Sequence, residues 1–441
     1  MRSSMTRTLA AAGIAALLLS ACGSDDGDST ETTSPAETEM ASETEMATET
    51  EMATEATEAA EPTATETEAP PARGDADLVI WADDTRAPVI EPFAQEFADA
   101  QGITVAVQEV PGDRMRDFVT TAAPVGEGPD VFITAHDAVG SLAGNGIVAP
   151  LDISNPDDFL PVAIEAFTYE GQLYGLPYAI ENVALIRNTD LAPESPESLE
   201  DMVTTGLDLV DSGEATIPVG WQEPDTYHNY WVVTGEGGYV FGQTEEGYDA
   251  SDLGIDSEGG LAAGETFSDL VARGFLSESV TYDVMLEAFA NGETPYAITG
   301  PWAVAEFTDV PYVVEPLPTV DGGEPAPFVG VQGFYVSAFS ENVLAAQTFV
   351  LDVMGTEEAQ LGLYEVGDRP PALQAAFDQA ATDPDIQGFG EAGAEGYAMP
   401  SIPEMNSVWE SWDNAYTLIM QGEDGAEAFT EAAEQIRSLI G

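Results

Sequence analysis

Leu78-Val-Ile-Trp81 is a run of four apolar residues with no polar alternation, which reads as a strand covered on both faces. The residues after it constrain the fold. A polar loop, Asp83-Asp84-Thr85-Arg86, leads into residues 88–100, where Ile90, Phe93, Phe97 and Ala98 recur at helical spacing. Residues 103–107 form a second strand and 115–123 a short helix, and Gly126-Glu-Gly-Pro-Asp130 turns into Val131-Phe-Ile133. Strand–helix–strand alternation of this kind requires a parallel α/β sheet, whose ligands sit at the carboxyl ends of the strands. Asp83, Asp84, Arg86, His136 and Asp137 all fall at such ends.

The globular composition begins near residue 76 and runs to the end, roughly 365 residues, too many for one core and suited to two lobes. Before it come two segments of a different kind. Arg2 and Arg7, an apolar stretch over residues 9–19 and Leu19-Ser20-Ala21-Cys22 make a targeting segment. Its apolar part is shorter than the about 20 residues a membrane span needs. Leu-Ser-Ala before the chain's single cysteine resembles a bacterial lipobox, so residues 1–21 are expected to be removed and Cys22 lipidated. With one cysteine there is no disulfide framework, and the core must hold without staples. Residues 22–75 are Thr, Glu, Ala and Pro repeats that cannot bury enough apolar surface to offset chain entropy. They read as a disordered acidic tether holding the folded part away from the membrane.

Charge narrows the partners. The chain carries 81 Asp and Glu against 10 basic residues, all of them Arg, for a formal charge of −71. Phosphate contacts need a basic patch, so nucleic acid is excluded. Such self-repulsion is tolerable where salt screens it. A saline medium fits, and so does an ordinary extracellular protein whose tail inflates the count. Two histidines argue against a His-built metal site or a Ser/His/Asp triad. No Walker or Rossmann glycine loop and no Asp-x-Asp-x-Asp-Gly calcium loop occurs, so neither a cofactor nor a metal is expected.

Further along, Phe167-Thr-Tyr-Glu-Gly-Gln-Leu-Tyr-Gly alternates about Glu170-Gly171 and predicts a hairpin. Val183-Ala-Leu-Ile186 predicts a buried strand, and residues 195–209, 261–271, 282–290, 345–353 and 357–366 predict helices. Within 222–228, Glu223 and Tyr227 fall in a loop or at an element end. The long apolar run 328–337, broken by two glycines, suits a strand crossing between lobes, and a last helix from Ser407 carries Trp409 and Trp412. Trp81 and Trp221 read as core. Trp302, Trp409 and Tyr227, beside Glu181, Glu223, Asp137 and Asp84, supply flat aromatics and planar acceptors, the combination that recognises a sugar's apolar faces and hydroxyl rim. Glu181 and Glu223 also leave a glycosidase acid–base pair open, their separation being unspecified by sequence.

The segments LVIWADDTR, GEGPDVFITAHD, FTYEGQLYGLPYAIENVALIRNTDL, QEP…GGYVF, FANGETPYAITGPWA, PFVGVQGF and MPSIPEMNSVW occur in an order that resembles the maltose/maltodextrin-binding proteins of bacterial ABC importers, from Leu78 to about Ile440. The resemblance implies a two-lobed periplasmic-binding-protein fold of type II-like form with hinge crossovers, closing on an oligosaccharide. It implies residues 76–181 and 331–376 as lobe one and 182–330 and 377–441 as lobe two. It also implies Arg86 and Asp137 as hydroxyl contacts, Glu181 as the hinge carboxylate, and Glu223 with Tyr227 as a contacting pair. Trp302 and Trp409 would be stacking platforms and Met399 a packing contact. Where the best-known member has a Trp and an Arg flanking Ala-His-Asp this chain has Thr134 and Ala138, and Glu410 and Asp413 replace a Tyr and an Arg, so another glucan or trehalose stays open. The expected protein is no enzyme. It is a monomer on the outer face of the cytoplasmic membrane, with importer permease subunits as partners.

Overall fold

A computed structural model describes residues 69–222, 225–244 and 247–441, all within one unit of the chain. Cys22, most of the acidic tether and Glu223 lie outside the described residues. The chain enters through β1 (Leu78–Ala82), β2 (Val105–Glu109) and β3 (Val131–Ala135). A hairpin of β4 (Thr168–Tyr169) and β5 (Gln172–Leu173) precedes β6 (Gly175–Asn182) and β7 (Ala184–Asn188). Then come β8 (Gly220–Trp221), a second hairpin of β9 (Phe241–Thr244) and β10 (Gly247–Leu253), β11 (Tyr296–Thr299) and β12 (Tyr312–Glu315). The last two strands are β13 (Phe328–Val336) and β14 (Tyr397–Ala398).

Two sheets make the frame of a two-lobed α/β fold. The first runs β14-β13-β3-β1-β2, with β6 also on β13; β1 is parallel to β2 and β3, and β13 is antiparallel to β3 and β6. The second runs β12-β7-β11-β8. Each lobe closes because strand side chains alternate between faces. Leu185, Tyr296 and Ile298 enter one apolar cluster of the second sheet, while Ala184, Ile186 and Ala297 enter another on its opposite face. The first sheet has its own core, containing Leu78–Ala82, Phe132 and Phe334.

β6 and β13 lie side by side and carry the chain from one core to the other. Along β6, Leu176, Tyr178 and Ala179 belong to the first core, and Val183 just beyond it to the second. Along β13, Phe328 belongs to the second and Val331 to the first. Glycine permits this pairing. Phe167 packs over both strands, where a Cβ on Gly175 would come within 2.2 Å of its ring and one on Gly333 within 2.3 Å.

The Glu170-Gly171 turn forms as expected, with φ of 49° and 75° at the two residues. Trp81 and Trp221 are fully buried. Other expectations shift. The second strand starts at Val105, not Ile103, because it pairs with β1 from Leu78↔Val105 onward. The expected helix over 345–353 is an α-helical segment, Val343–Thr348, continuing as a π-helical turn, Phe349–Met354. The helix Thr226–Gly235 was not anticipated; Asp225 caps its amides at Tyr227 and His228, so Tyr227 sits at an element end. That helix is buried on nearly all sides, so it shows no amphipathic stripe for sequence to reveal.

The start of the folded unit is also earlier than composition suggests. Arg73 donates to the Gly128 carbonyl at 2.6 Å and to the buried Asp130 carboxylate at 2.7 Å, and Gln108 donates to the Ala72 carbonyl at 3.0 Å. No helix among the described residues is long and apolar enough to cross a membrane.

Candidate functional site

The loop after β1, the helix Met115–Ala122 and the end of β3 meet the helices Thr226–Gly235 and Asn406–Met420 around a cleft of about 1320 Å³. Its position follows from the topology, since β1 and β3 deliver their carboxyl ends to it. Of the residues named from sequence, Asp83, Arg86, Thr134, Asp137, Tyr227, Trp409, Glu410 and Asp413 line it.

Asp137 follows β3 in a short 3-10 turn and is 3% exposed. One oxygen, Oδ2, accepts from Arg116 Nη2 at 2.6 Å and from Trp409 Nε1 at 3.0 Å. Arg116 also donates to Asn406 Oδ1 at 3.2 Å. These bonds join the helix Met115–Ala122 to the helix Asn406–Met420 across the cleft. Arg86 is buried at the N-cap of the helix Ala87–Gln101, donating to Asp83 and to the Tyr178 hydroxyl. Tyr227 lines the cleft and donates its hydroxyl to the Glu181 carbonyl at 3.1 Å. Burial, with Glu181 and Asp225 nearby, holds its phenol well above the ordinary value, so it stays a neutral donor.

Asp84, Met399, Trp302 and Glu181 do not line the cleft. Asp84 is exposed and off the cleft lining; its neighbour Asp83 lines it. Met399 is buried in the second core and contributes its carbonyl, which accepts from His136 Nε2 at 2.9 Å. Since His136 Nδ1 accepts from the Val331 amide at 3.0 Å, the ring is the neutral Nε2–H tautomer, and burial lowers its pKa. Trp302 is folded over Gly300, where a Cβ would meet its ring at 2.1 Å, and is flanked by Tyr227, His228 and Arg369. Glu181 is 7% exposed and off the cleft lining. Its Oε1 accepts from Gln332 Nε2 at 2.7 Å and its Oε2 from Arg369 Nε at 2.6 Å.

Sequence reasoning missed Arg114, Arg116, Asp225, Gln332 and Arg369, all of which line the cleft. One signal was available. In a chain with ten basic residues, each Arg needs a reason, and four of them, Arg86, Arg114, Arg116 and Arg369, come together here. Each is paired with a carboxylate: Asp83, Asp117 at 3.6 Å, Asp137 at 2.6 Å and Glu181 at 2.6 Å. The cleft is therefore not a cationic trap. Its walls alternate fixed donors and acceptors beside aromatic rings, an arrangement suited to a neutral, hydroxyl-rich ligand. Among the described residues no group of three or more Asp, Glu, His or Cys is arranged to hold a metal ion.

Comparison with known proteins agrees with this architecture. The family model described as bacterial extracellular solute-binding protein matches residues 92–388. The chain is 27% identical over 379 residues to a galactooligosaccharide-binding protein of Bacillus subtilis (strain 168), covering 83% of this chain and 90% of that one. It is 29% identical over 364 residues to a maltotriose-binding protein of Pyrococcus abyssi, covering 79% and 78%. It is 26% identical over 384 residues to a maltooligosaccharide ABC transporter solute-binding lipoprotein of Streptococcus pneumoniae (strain ATCC BAA-255 / R6), covering 82% and 89%. With a two-lobed α/β frame, a polar cleft at its strand ends and a family match over most of its length, the chain belongs to the bacterial extracellular solute-binding proteins.

Proposed function

We propose that this protein captures maltodextrin-type oligosaccharides in its cleft and delivers them to the permease subunits of an ABC importer. In this reading it works as a monomer, held on the outer face of the cytoplasmic membrane by a lipidated Cys22 and the acidic tether. The observation that carries it is the set of four arginine–carboxylate pairs around one large cleft, with Tyr227 and Trp409 among the lining. Paired charges present rigid, directional hydrogen bonds without net attraction for an anion, which favours a neutral polyhydroxyl ligand. Relatives named for maltotriose and maltooligosaccharides support the α-glucan, and the streptococcal one, named a lipoprotein, supports the anchor. The chain is a binding protein and not an enzyme, as its family and relatives are.

A galacto-oligosaccharide is the second reading, favoured by the Bacillus relative named for that ligand. A thermal-shift screen with maltotriose, maltotetraose, a galacto-oligosaccharide and trehalose separates them. A ligand at one hundred times its Kd stabilises the fold by about 2.7 kcal/mol, so the true ligand raises Tm by several degrees. Maltotriose and maltotetraose are expected to do so. A shift with the galacto-oligosaccharide alone would replace the α-glucan reading.

A further inference from the structure

The geometry points to Arg369, with Gln332, as the group that meets the sugar at the hinge, and to Glu181 as the buried residue that positions both. The inference rests on the oligosaccharide reading of the cleft and deepens it.

The backbone brings these residues together. The helix Glu357–Gly367 ends at Asp368, whose φ of 50° turns the chain sharply. The next residues run alongside β6: the Ile180 amide donates to the Pro370 carbonyl at 2.8 Å and the Ala372 amide to the Tyr178 carbonyl at 2.9 Å. That added pairing brings Arg369 to Glu181. On the other side of β6, Gly330 of β13 pairs with Glu181, and Gln332 lies two residues further on. Three side chains from three segments therefore meet where β6 and β13 pass between the cores.

Hydrogen-bond capacity then assigns their roles. An ionised carboxylate only accepts. Glu181 has one oxygen taken by Gln332 and the other by Arg369, with little exposed surface left. Because Gln332 must turn its amide nitrogen to Glu181, its carbonyl oxygen is directed away as an acceptor. Arg369 uses Nε on Glu181, while Nη1 makes only a long 3.4 Å contact with the Gly367 carbonyl. Arg369 and Gln332 line the cleft and Glu181 does not. A guanidinium donor beside an amide acceptor can take adjacent hydroxyls of one sugar. The Arg369 guanidinium also lies 5.8 Å from the Trp302 ring centroid, so it occupies the approach to that ring.

The test is a double-mutant cycle read by calorimetric titration with maltotriose, with Tm and circular dichroism recorded for each variant. Arg369→Ala is expected to weaken binding at least tenfold, and Glu181→Gln to weaken it severalfold in the wild-type background. In the Arg369→Ala background, Glu181→Gln should cause a clearly smaller loss, because only Gln332 is left to position. A sugar contact made by Glu181 itself would give the same loss in both backgrounds, and that additivity overturns the assignment. Should Arg369→Ala fail to fold with Glu181 left unpaired, the cycle is run with Arg369→Lys, which keeps the charge but loses the planar fork. If wild type binds maltotriose and Arg369→Ala or Arg369→Lys binds it equally well, only the role of Arg369 falls. If wild type binds no oligosaccharide of the panel, the functional reading falls and this inference with it.

Discussion

Asp413 shows how one cleft residue can couple stability to pH. It lines the cleft, and its Oδ1 accepts from the Thr226 amide at 2.8 Å. Burial pushes its carboxyl up to about 6, with the Thr226 bonds opposing the rise and Asp225 adding to it. An unfolded Asp titrates near about 3.9. Between those values the folded chain binds more protons than the unfolded one, so this residue's contribution falls as pH rises from about 4 to about 6 and stays low above that. Asp413→Asn keeps an acceptor for Thr226 and removes the penalty. Its Tm relative to wild type should therefore be higher at about pH 7.5 than at about pH 4. A pH-independent difference in scanning fluorimetry would show that Asp413 does not carry this coupling. His136 has the opposite sign. Its lowered pKa gives stability that is present above about 6.5 and lost as pH falls below it. His136→Gln should flatten the acid limb of the stability profile, as followed by urea denaturation at several pH values.

Among the elements, β6 and β13 matter most, because they are paired strands that carry the chain between the two cores. Their close approach depends on Gly333, where a Cβ would meet Phe167 at 2.3 Å and the Leu176 carbonyl oxygen at 2.8 Å. Phe167 is fully buried and has no room to retreat. Overpacking of this kind costs about 1–3 kcal/mol, so Gly333→Ala should lower the urea midpoint with m unchanged. A midpoint equal to that of wild type would show that the strands can separate freely. Gly330 has a milder constraint, its would-be Cβ lying 3.0 Å from Glu181 Cγ and 3.3 Å from the Tyr227 hydroxyl. Small residues on β13 thus serve both the packing of the crossover and the access of Tyr227 to the Glu181 backbone.

On the scale of the molecule, two features decide behaviour, the start of the folded unit and the charge. Arg73 clips the chain onto Asp130, which also accepts from the Val79 amide at 2.7 Å and the Ser340 hydroxyl at 2.6 Å. Deleting residues 23–68 should leave Tm unchanged, whereas deleting 23–74 removes the cation from a buried carboxylate, at a cost of about 1–3 kcal/mol. Equal melting temperatures for the two truncations would show that the clip contributes nothing. The net charge of −71 makes stability depend on salt. The Debye length falls from about 30 Å at 0.01 M to about 3 Å at 1 M. Tm is therefore expected to climb from millimolar to molar NaCl, and a flat curve in calorimetry would mean that the acidic surface carries no repulsive cost.

Local order was readable because its causes are local. The unbroken Leu78-Val-Ile-Trp81 run becomes a strand with no exposed residue, and Glu170-Gly171 makes its turn because short-range alternation and glycine's φ freedom are properties of adjacent residues. The order of motifs was enough for the family. Arg86 and Asp137 line the cleft as strand-end residues, whose places can be located along a chain, while Tyr227 and Trp409 reach it from helices. The helix Thr226–Gly235 escaped notice because a helix buried all round has no periodic stripe. Only the tertiary structure could show that Glu181 is occupied by Arg369 from 188 residues away and Gln332 from 151, or that Asp137 is held by Trp409 from 272. Spacing along a chain can place a carboxylate near a cleft. Which donors saturate it, and so whether it or its partner faces the ligand, is decided by segments that meet only when the chain folds.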